Sequence, residues 1–213
     1  YQDHGHANAE HEGNVVIRLA IIDSGGANIA SLRYAIDRLG IQSQVTTDAA
    51  TLRAATHVIL PGVGAAADCM ERLRSANLID TIRNLRQPLL GVCVGMQLLF
   101  ESSEEGNVRC LGLLAGRVHR FTDRDGLPVP HMGWNQIEFA QPSPLLDDVA
   151  SGDHVYFVHS YCAPVNESTV ATATYGERFA AMVRHDNVFG AQFHPERSAQ
   201  AGALVLRNFL LVT

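Results

Sequence analysis

Residues 88–100 read Pro-Leu-Leu-Gly-Val-Cys-Val-Gly-Met-Gln-Leu-Leu-Phe, and their reading sets the fold. Pro88 to Val92 is a short apolar run of the length and composition of a buried strand. Cys93 follows at once between two glycines, and the helical segment Gly95 to Phe100 comes after it. A strand that turns sharply into a helix is half of a βαβ unit, and three more such units precede it. Val15 to Asp23 reads as a strand, followed by a helix capped by Asn28 whose apolar face is Ile29, Leu32, Ile36 and Leu39. Gly40 closes that helix before the strand Ile41 to Thr46. A weaker helix, Ala49 to Ala55, leads to the strand Thr56 to Leu60 and the turn Pro61-Gly62-Val63-Gly64. Helices over Ala65 to Ser75 and Leu78 to Arg86 then return the chain to Pro88. Alternation of this kind predicts a parallel sheet covered by helices.

The second half reads differently. Arg117 to Phe121, Asn135 to Phe139, Val155 to Tyr161, Thr169 to Tyr175, Phe179 to Arg184 and Val188 to Phe193 are strand-like pieces broken by Asp-Gly, Pro, Gly176 and Asp186-Asn187. A last helix begins near Ala199 and runs to Phe209–Val212. The expectation is one mixed α/β domain, 15–213, with a mostly parallel open sheet and added antiparallel strands. Residues 1–14, polar and aperiodic, are expected to be a disordered leader or an expression remnant.

Composition narrows the function classes. The 213 residues are 46% hydrophobic and 18% charged, as in a globular domain, and their formal charge of −6 disfavours a protein built to grip nucleic acid. No run approaches the roughly 18 apolar residues of a membrane span, so a cytoplasmic protein is expected. Four scattered cysteines (Cys69, Cys93, Cys110, Cys162) give neither a disulfide framework nor a metal-ligand spacing. No metal or organic cofactor is therefore expected. The Ser24-Gly25-Gly26-Ala27-Asn28 loop lacks both the dinucleotide fingerprint and the Gly-Lys-Ser/Thr of a P-loop.

Three segments carry chemistry. In Gly91-Val92-Cys93-Val94-Gly95 the glycines relieve crowding at a sharp turn that aims the thiol out of the sheet, where helix N–H groups lower its pKa and hold an oxyanion. Taken alone, the pattern fits equally a small buried cysteine at a Gly-rich turn. In Gln192-Phe193-His194-Pro195-Glu196, His194 suits proton transfer near neutral pH and Glu196 suits orientation of its ring. On its own this segment is also a solvated turn. Pro61-Gly62-Val63-Gly64 follows a parallel strand, where open α/β sheets build their sites. Six other histidines (His57, His119, His131, His154, His159, His185) have no carboxylate so placed after a strand end.

In this order and spacing, the Gly-x-Cys-x-Gly elbow, the PGVG loop before it and the QFHPE segment after it resemble the class I (triad) glutamine amidotransferases. IDSGGAN, LPGVG, GVCVGMQLLFE, PHMGWN, YFVHSY and QFHPERS are most similar to the glutaminase subunits of imidazole glycerol phosphate synthases. The departure lies at Ser24 and Ala27, where many members read Asp-Tyr-Gly-x-Gly-Asn. The resemblance implies Cys93 as nucleophile, His194 as acid and base, and Glu196 as its orienter. It implies oxyanion N–H groups at Val63 and Val94, and glutamine contacts at Gly64, Gln97, Ser160, Tyr161 and Glu105. It also implies a cyclase partner, a (β/α)8 barrel, docked near Asn28, Trp134, Tyr156 and Arg197; core packing is the other reading of Trp134 and Tyr156. The glutaminase of anthranilate or aminodeoxychorismate synthase, a Cys-type α/β hydrolase and an interaction subunit with an idle triad are the alternatives.

Overall fold

The computed structural model describes residues 16–25 and 28–213. The leader, Val15, Gly26 and Ala27 lie outside the described residues. In chain order the elements are β1 (Leu19–Ile22), α1 (Ile29–Asp37), β2 (Ser43–Thr46), α2 (Ala49–Ala54), β3 (His57–Leu60), α3 (Ala66–Ser75), α4 (Ile79–Arg83), β4 (Leu89–Val92) and α5 (Val94–Leu98). The second half adds β5 (Phe100–Ser103), β6 (Val108–Arg109), β7 (Leu114–Arg120), β8 (His131–Gln136), β9 (Glu138–Phe139), β10 (His154–His159), β11 (Tyr161–Cys162), β12 (Thr169–Tyr175), β13 (Glu177–His185), β14 (Val188–Ala191) and α6 (Ala199–Leu211).

The main sheet has eight strands in the order β2-β1-β3-β4-β14-β13-β12-β9. Its first five strands are mutually parallel, and β13, β12 and β9 continue it antiparallel. Strands β1, β3, β4 and β14 are buried along their whole length, which is why their sequences read as continuous apolar runs rather than alternating ones. Two smaller sheets, β10-β8 and β11-β7-β5-β6, are built only from the middle of the chain. One continuous core joins the layers, with Phe157, Phe179, Phe193 and Phe209 fully buried. Each such side chain contributes about 1.5–3 kcal/mol relative to an exposed one.

The differences from the sequence expectation have local causes. The helix after Cys93 stops at Leu98, and Phe100 starts strand β5, because the chain there pairs with β7. The run Val155 to Tyr161 breaks at Ser160: β10 pairs with β8 and β11 with β7. Asn28 holds the N-cap position of α1 without a side-chain cap bond, because its amide is engaged elsewhere.

Candidate active site

Cys93 and His194 come from the carboxyl ends of neighbouring parallel strands. Val92 is level with Ala191 in the β4–β14 register, and Cys93 N donates to the Ala191 carbonyl at 2.8 Å. Cys93 sits at φ 55°, ψ −116°, a conformation that costs a non-glycine residue roughly 1–3 kcal/mol. The flanking glycines make room for it. A Cβ on Gly91 would meet Met96 Cα at 2.7 Å, one on Gly62 would meet Gly95 N at 2.6 Å, and one on Gly95 would overlap the Leu60 carbonyl oxygen. The elbow and the Pro61–Gly64 loop are thus packed backbone to backbone.

His194 and Glu196 are nearly inaccessible, at 6% and 0% side-chain exposure. His194 Nδ1 donates to Glu196 Oε1 at 2.9 Å, and the Asn28 amide donates to the same oxygen. With Nδ1 carrying its proton, the Asn28 amide 3.0 Å away is a neighbour of the ring and not a partner. Burial works against a charged His194 ring. The hydrogen bonds and negative charges of Cys93 and Glu196 outweigh it and raise the pKa to about 10. The imidazolium is therefore the stable form at neutral pH.

Around these groups lies a cavity of about 660 Å³ that includes Asn28, Val63, Gly64, Val94, Gln97, Glu105, His159, Ser160, Tyr161 and Arg197 in its lining. Gln97 is buried; its amide donates to the Tyr161 carbonyl at 2.8 Å and to Gln192 Oε1 at 2.9 Å. Its own Oε1 and Glu196 Oε2 are buried and, among the described residues, meet no donor. Glu105 accepts from Ala66 N at 2.9 Å; burial pushes its carboxyl up, against that hydrogen bond. The Val94 N–H belongs to the first turn of α5 and has no intrahelical acceptor. On the facing loop the Cys69 thiol donates to the Val63 carbonyl at 3.5 Å. The buried Ser24 hydroxyl donates to the Pro61 carbonyl at 2.6 Å, so the departure at Ser24 is an anchor for this loop.

The model of the glutamine amidotransferase class-I family matches residues 20–213. The chain belongs to the class I glutamine amidotransferases. It is 53% identical over 192 residues to the imidazole glycerol phosphate synthase subunit HisH of Xanthomonas axonopodis pv. citri, covering 90% of this chain and 96% of that protein. It is likewise 53% identical over 192 residues to the subunit of the same name from Xylella fastidiosa strain Temecula1, with the same coverage. Among solved structures, PurLQS from Thermotoga maritima has the same fold, with TM-score 0.68 at 19% identity over 92% of this chain and 98% of that one. A glutamine amidotransferase from the same organism matches with TM-score 0.63 at 17% identity, covering 91% of this chain and 82% of that one.

The class I amidotransferase fold brings every expected pocket residue to one cavity except Glu196, which sits beneath it against His194 and Asn28. Asn28, expected at a helix cap and near a partner face, has its amide on Glu196. Trp134 is 53% exposed and packs edge-on to Tyr156 at 6.0 Å, so core packing does not account for it. Arg197 lies over the Tyr156 ring at 4.7 Å.

Two features escaped the sequence reading. Gln192, two residues before His194, approaches Cys93 Sγ at 3.9 Å. His131 and His159 form a buried pair, Nδ1 of the first 3.0 Å from Nε2 of the second. His159 Nδ1 lies 2.8 Å from the Tyr161 carbonyl, which can only accept. That fixes both tautomers: Nδ1–H of His159 donates to Tyr161, and Nδ1–H of His131 donates to His159. Burial holds both rings neutral, at pKa values of about 3 for His159 and about 4 for His131. The signal available in the sequence was the alternation that puts Val155, Phe157 and His159 on one face of a strand.

Proposed function

We propose that this chain is the glutaminase subunit of an imidazole glycerol phosphate synthase, acting in the cytoplasm, with residues 15–213 as its single amidotransferase domain. No described helix is long and apolar enough to cross a membrane. The observation that carries the reading is the buried line Cys93–His194–Glu196 at adjoining strand ends, open to a cavity large enough for an amino acid. The 53% identity to synthase subunits of that name favours this synthase over its alternatives.

In this reading the Cys93 thiolate attacks the side-chain carboxamide carbon of glutamine. The Val94 N–H, with an N–H from the Val63 loop, receives the developing oxyanion. His194, held protonated, gives its proton to the departing nitrogen, and ammonia leaves. Neutral His194 then takes a proton from water, which attacks the thioester and releases glutamate with Cys93 restored. Glu196 and Asn28 hold the ring, the first by its charge and the second through Glu196. Gly64, Gln97, Glu105, Ser160 and Tyr161 line the part of the cavity that would take the amino-acid end of the substrate.

Ammonia needs a second subunit to use it, and the relatives are named as subunits. The proposed partner is the cyclase, a (β/α)8 barrel, seated over Trp134, Tyr156, Arg197 and the Asn28 loop. The exposed Trp134 and Met132 on the β8–β10 ribbon offer the apolar anchors of such a surface. The test is Cys93→Ala assayed with the cyclase and its ribonucleotide substrate. Glutamine hydrolysis should vanish while added ammonium salts still support cyclisation. Retained glutamine turnover in that variant rejects the proposed nucleophile.

A further inference from the structure

Outside the Cys93 cavity, three lone-pair donors converge where β7, β11 and β13 meet. His119 and Cys162 stand opposite each other in the antiparallel β7–β11 ladder, and Glu177, the first residue of β13, reaches them from the side. Cys162 Sγ is 3.4 Å from His119 Nε2, and Glu177 Oε2 is 2.9 Å from the same nitrogen. All three donor atoms lie within 4.8 Å of one another, the one such group among the described residues. Cys162 is buried, while the His119 and Glu177 side chains are 34% and 28% exposed. The cluster has a dry floor and an entry from solvent.

One ring nitrogen cannot serve both neighbours through a single proton. If His119 Nε2 carries a hydrogen, it donates to Glu177 and offers nothing to the Cys162 thiol hydrogen. If Nε2 accepts from Cys162, it has no hydrogen to give the Glu177 oxygen 2.9 Å away. A cation shared by the three donor atoms, which lie within 4.8 Å of one another, satisfies all of them at once.

We propose that His119, Cys162 and Glu177 bind one divalent transition-metal ion, with Zn2+ the best match, and leave its fourth position to water. Imidazole, thiolate and carboxylate together select zinc-like ions over Mg2+ and Ca2+, which take oxygen ligands. Zinc bonds of about 2.0–2.3 Å at tetrahedral angles place neighbouring donors roughly 3.3–3.6 Å apart. The sulfur–nitrogen separation already fits, and the nitrogen–oxygen pair has to widen by roughly half an ångström. Binding displaces the Cys162 proton, so it strengthens as pH rises and releases acid. The next ladder step is Arg120 opposite Tyr161, whose carbonyl Gln97 and His159 share. A bound ion therefore ties β7 to β11 one residue from the cavity wall. None of this depends on the glutaminase reading.

The test uses the full chain carrying Cys93→Ala and His4→Asn, His6→Asn and His11→Asn, which removes the cavity thiol and three histidines near the start of the sequence as competing ligands. Stripped with chelator and kept reduced, it is titrated with Co2+ while thiolate-to-cobalt absorption is followed. Saturation at one equivalent, displacement by Zn2+, and loss of the absorption in Cys162→Ala are expected. His119→Asn and Glu177→Gln should each weaken Co2+ binding at least about tenfold. Absence of the thiolate band at one equivalent, or its survival in Cys162→Ala, overturns the site. His119→Asn changes a part-exposed side chain, so unchanged Co2+ affinity in that variant overturns the site even if Cys162→Ala does not fold.

Discussion

One wall of the cavity, carrying Cys93 and His194, is made of the carboxyl ends of parallel strands β4 and β14. The opposite wall, carrying Ser160 and Tyr161, is made of the antiparallel ribbons β8–β10 and β7–β11. The first wall is held by backbone contact among Gly62, Gly91 and Gly95, the second by side chains stacked across strands, with His131 between Phe157 and Tyr175. Backbone packing leaves the Cys93 turn little room to shift. Side-chain packing shapes the cavity and leaves its outer face, around Trp134, free to meet another protein.

Disturbing the first wall has the largest expected effect. Gly95→Ala drives a methyl group into the Leu60 carbonyl, and overpacking against backbone costs at least the usual 1–3 kcal/mol, about 3 or more here. The variant should lose glutaminase activity and unfold at clearly lower urea concentration. A normally stable, active Gly95→Ala would show that the elbow and the β3 loop are not packed as one unit.

Glu196→Gln tests the same wall without a steric change. It should lower kcat by about 10²–10⁴ and also lower stability at neutral pH, because it takes the charge from one partner of a fully buried pair. Glu196 also helps hold the His194 pKa at about 10. Losing its charge lowers that value, so the alkaline limb of the rate profile should move to lower pH. An alkaline limb that stays in place would remove Glu196 from the role of orienting and charging the ring.

On the second wall, Trp134→Ala separates binding from folding. The exposed indole adds little to the isolated chain, whose stability should change by no more than about 0.5 kcal/mol. Cyclase affinity should fall by about 2 kcal/mol, roughly 30-fold. Undiminished affinity in a direct binding titration would move the docking surface away from the β8–β10 ribbon.

The same contrast explains what the sequence discloses. Cys93, His194 and the Gly62–Val63 loop are legible because buried parallel strands read as apolar runs, and their carboxyl ends mark the site. The ribbon wall is less legible because its partners are set by long-range pairing. The strand read over Val155 to Tyr161 hides a switch of partner at Ser160. The His119–Glu177 contact joins residues 58 positions apart, beyond any spacing rule, so the sequence places no carboxylate beside His119. Asn28 satisfies a cap pattern, yet its side chain stabilises Glu196; sequence cannot decide between two uses of one amide.

The two walls should also respond to pH in opposite directions. His194 has a raised folded pKa of about 10, so its contribution is complete below the unfolded value of about 6.5 and is lost as pH rises through the folded one. His159 and His131 have lowered values of about 3 and about 4. Between those values and about 6.5 the unfolded chain binds the extra protons, so stability falls as pH falls through that window. Each proton adds a slope of about 1.4 kcal/mol per pH unit. His159→Gln keeps a donor and an acceptor at the Tyr161 carbonyl but removes one titrating ring. Urea unfolding between about pH 5 and 6.5 should then show a slope shallower by up to one proton. The same variant should raise the KM for glutamine more than it lowers kcat, since the ring acts through the Tyr161 carbonyl and not on the reacting atoms. An unchanged acid slope would mean that the buried pair is not the group that fails first in acid.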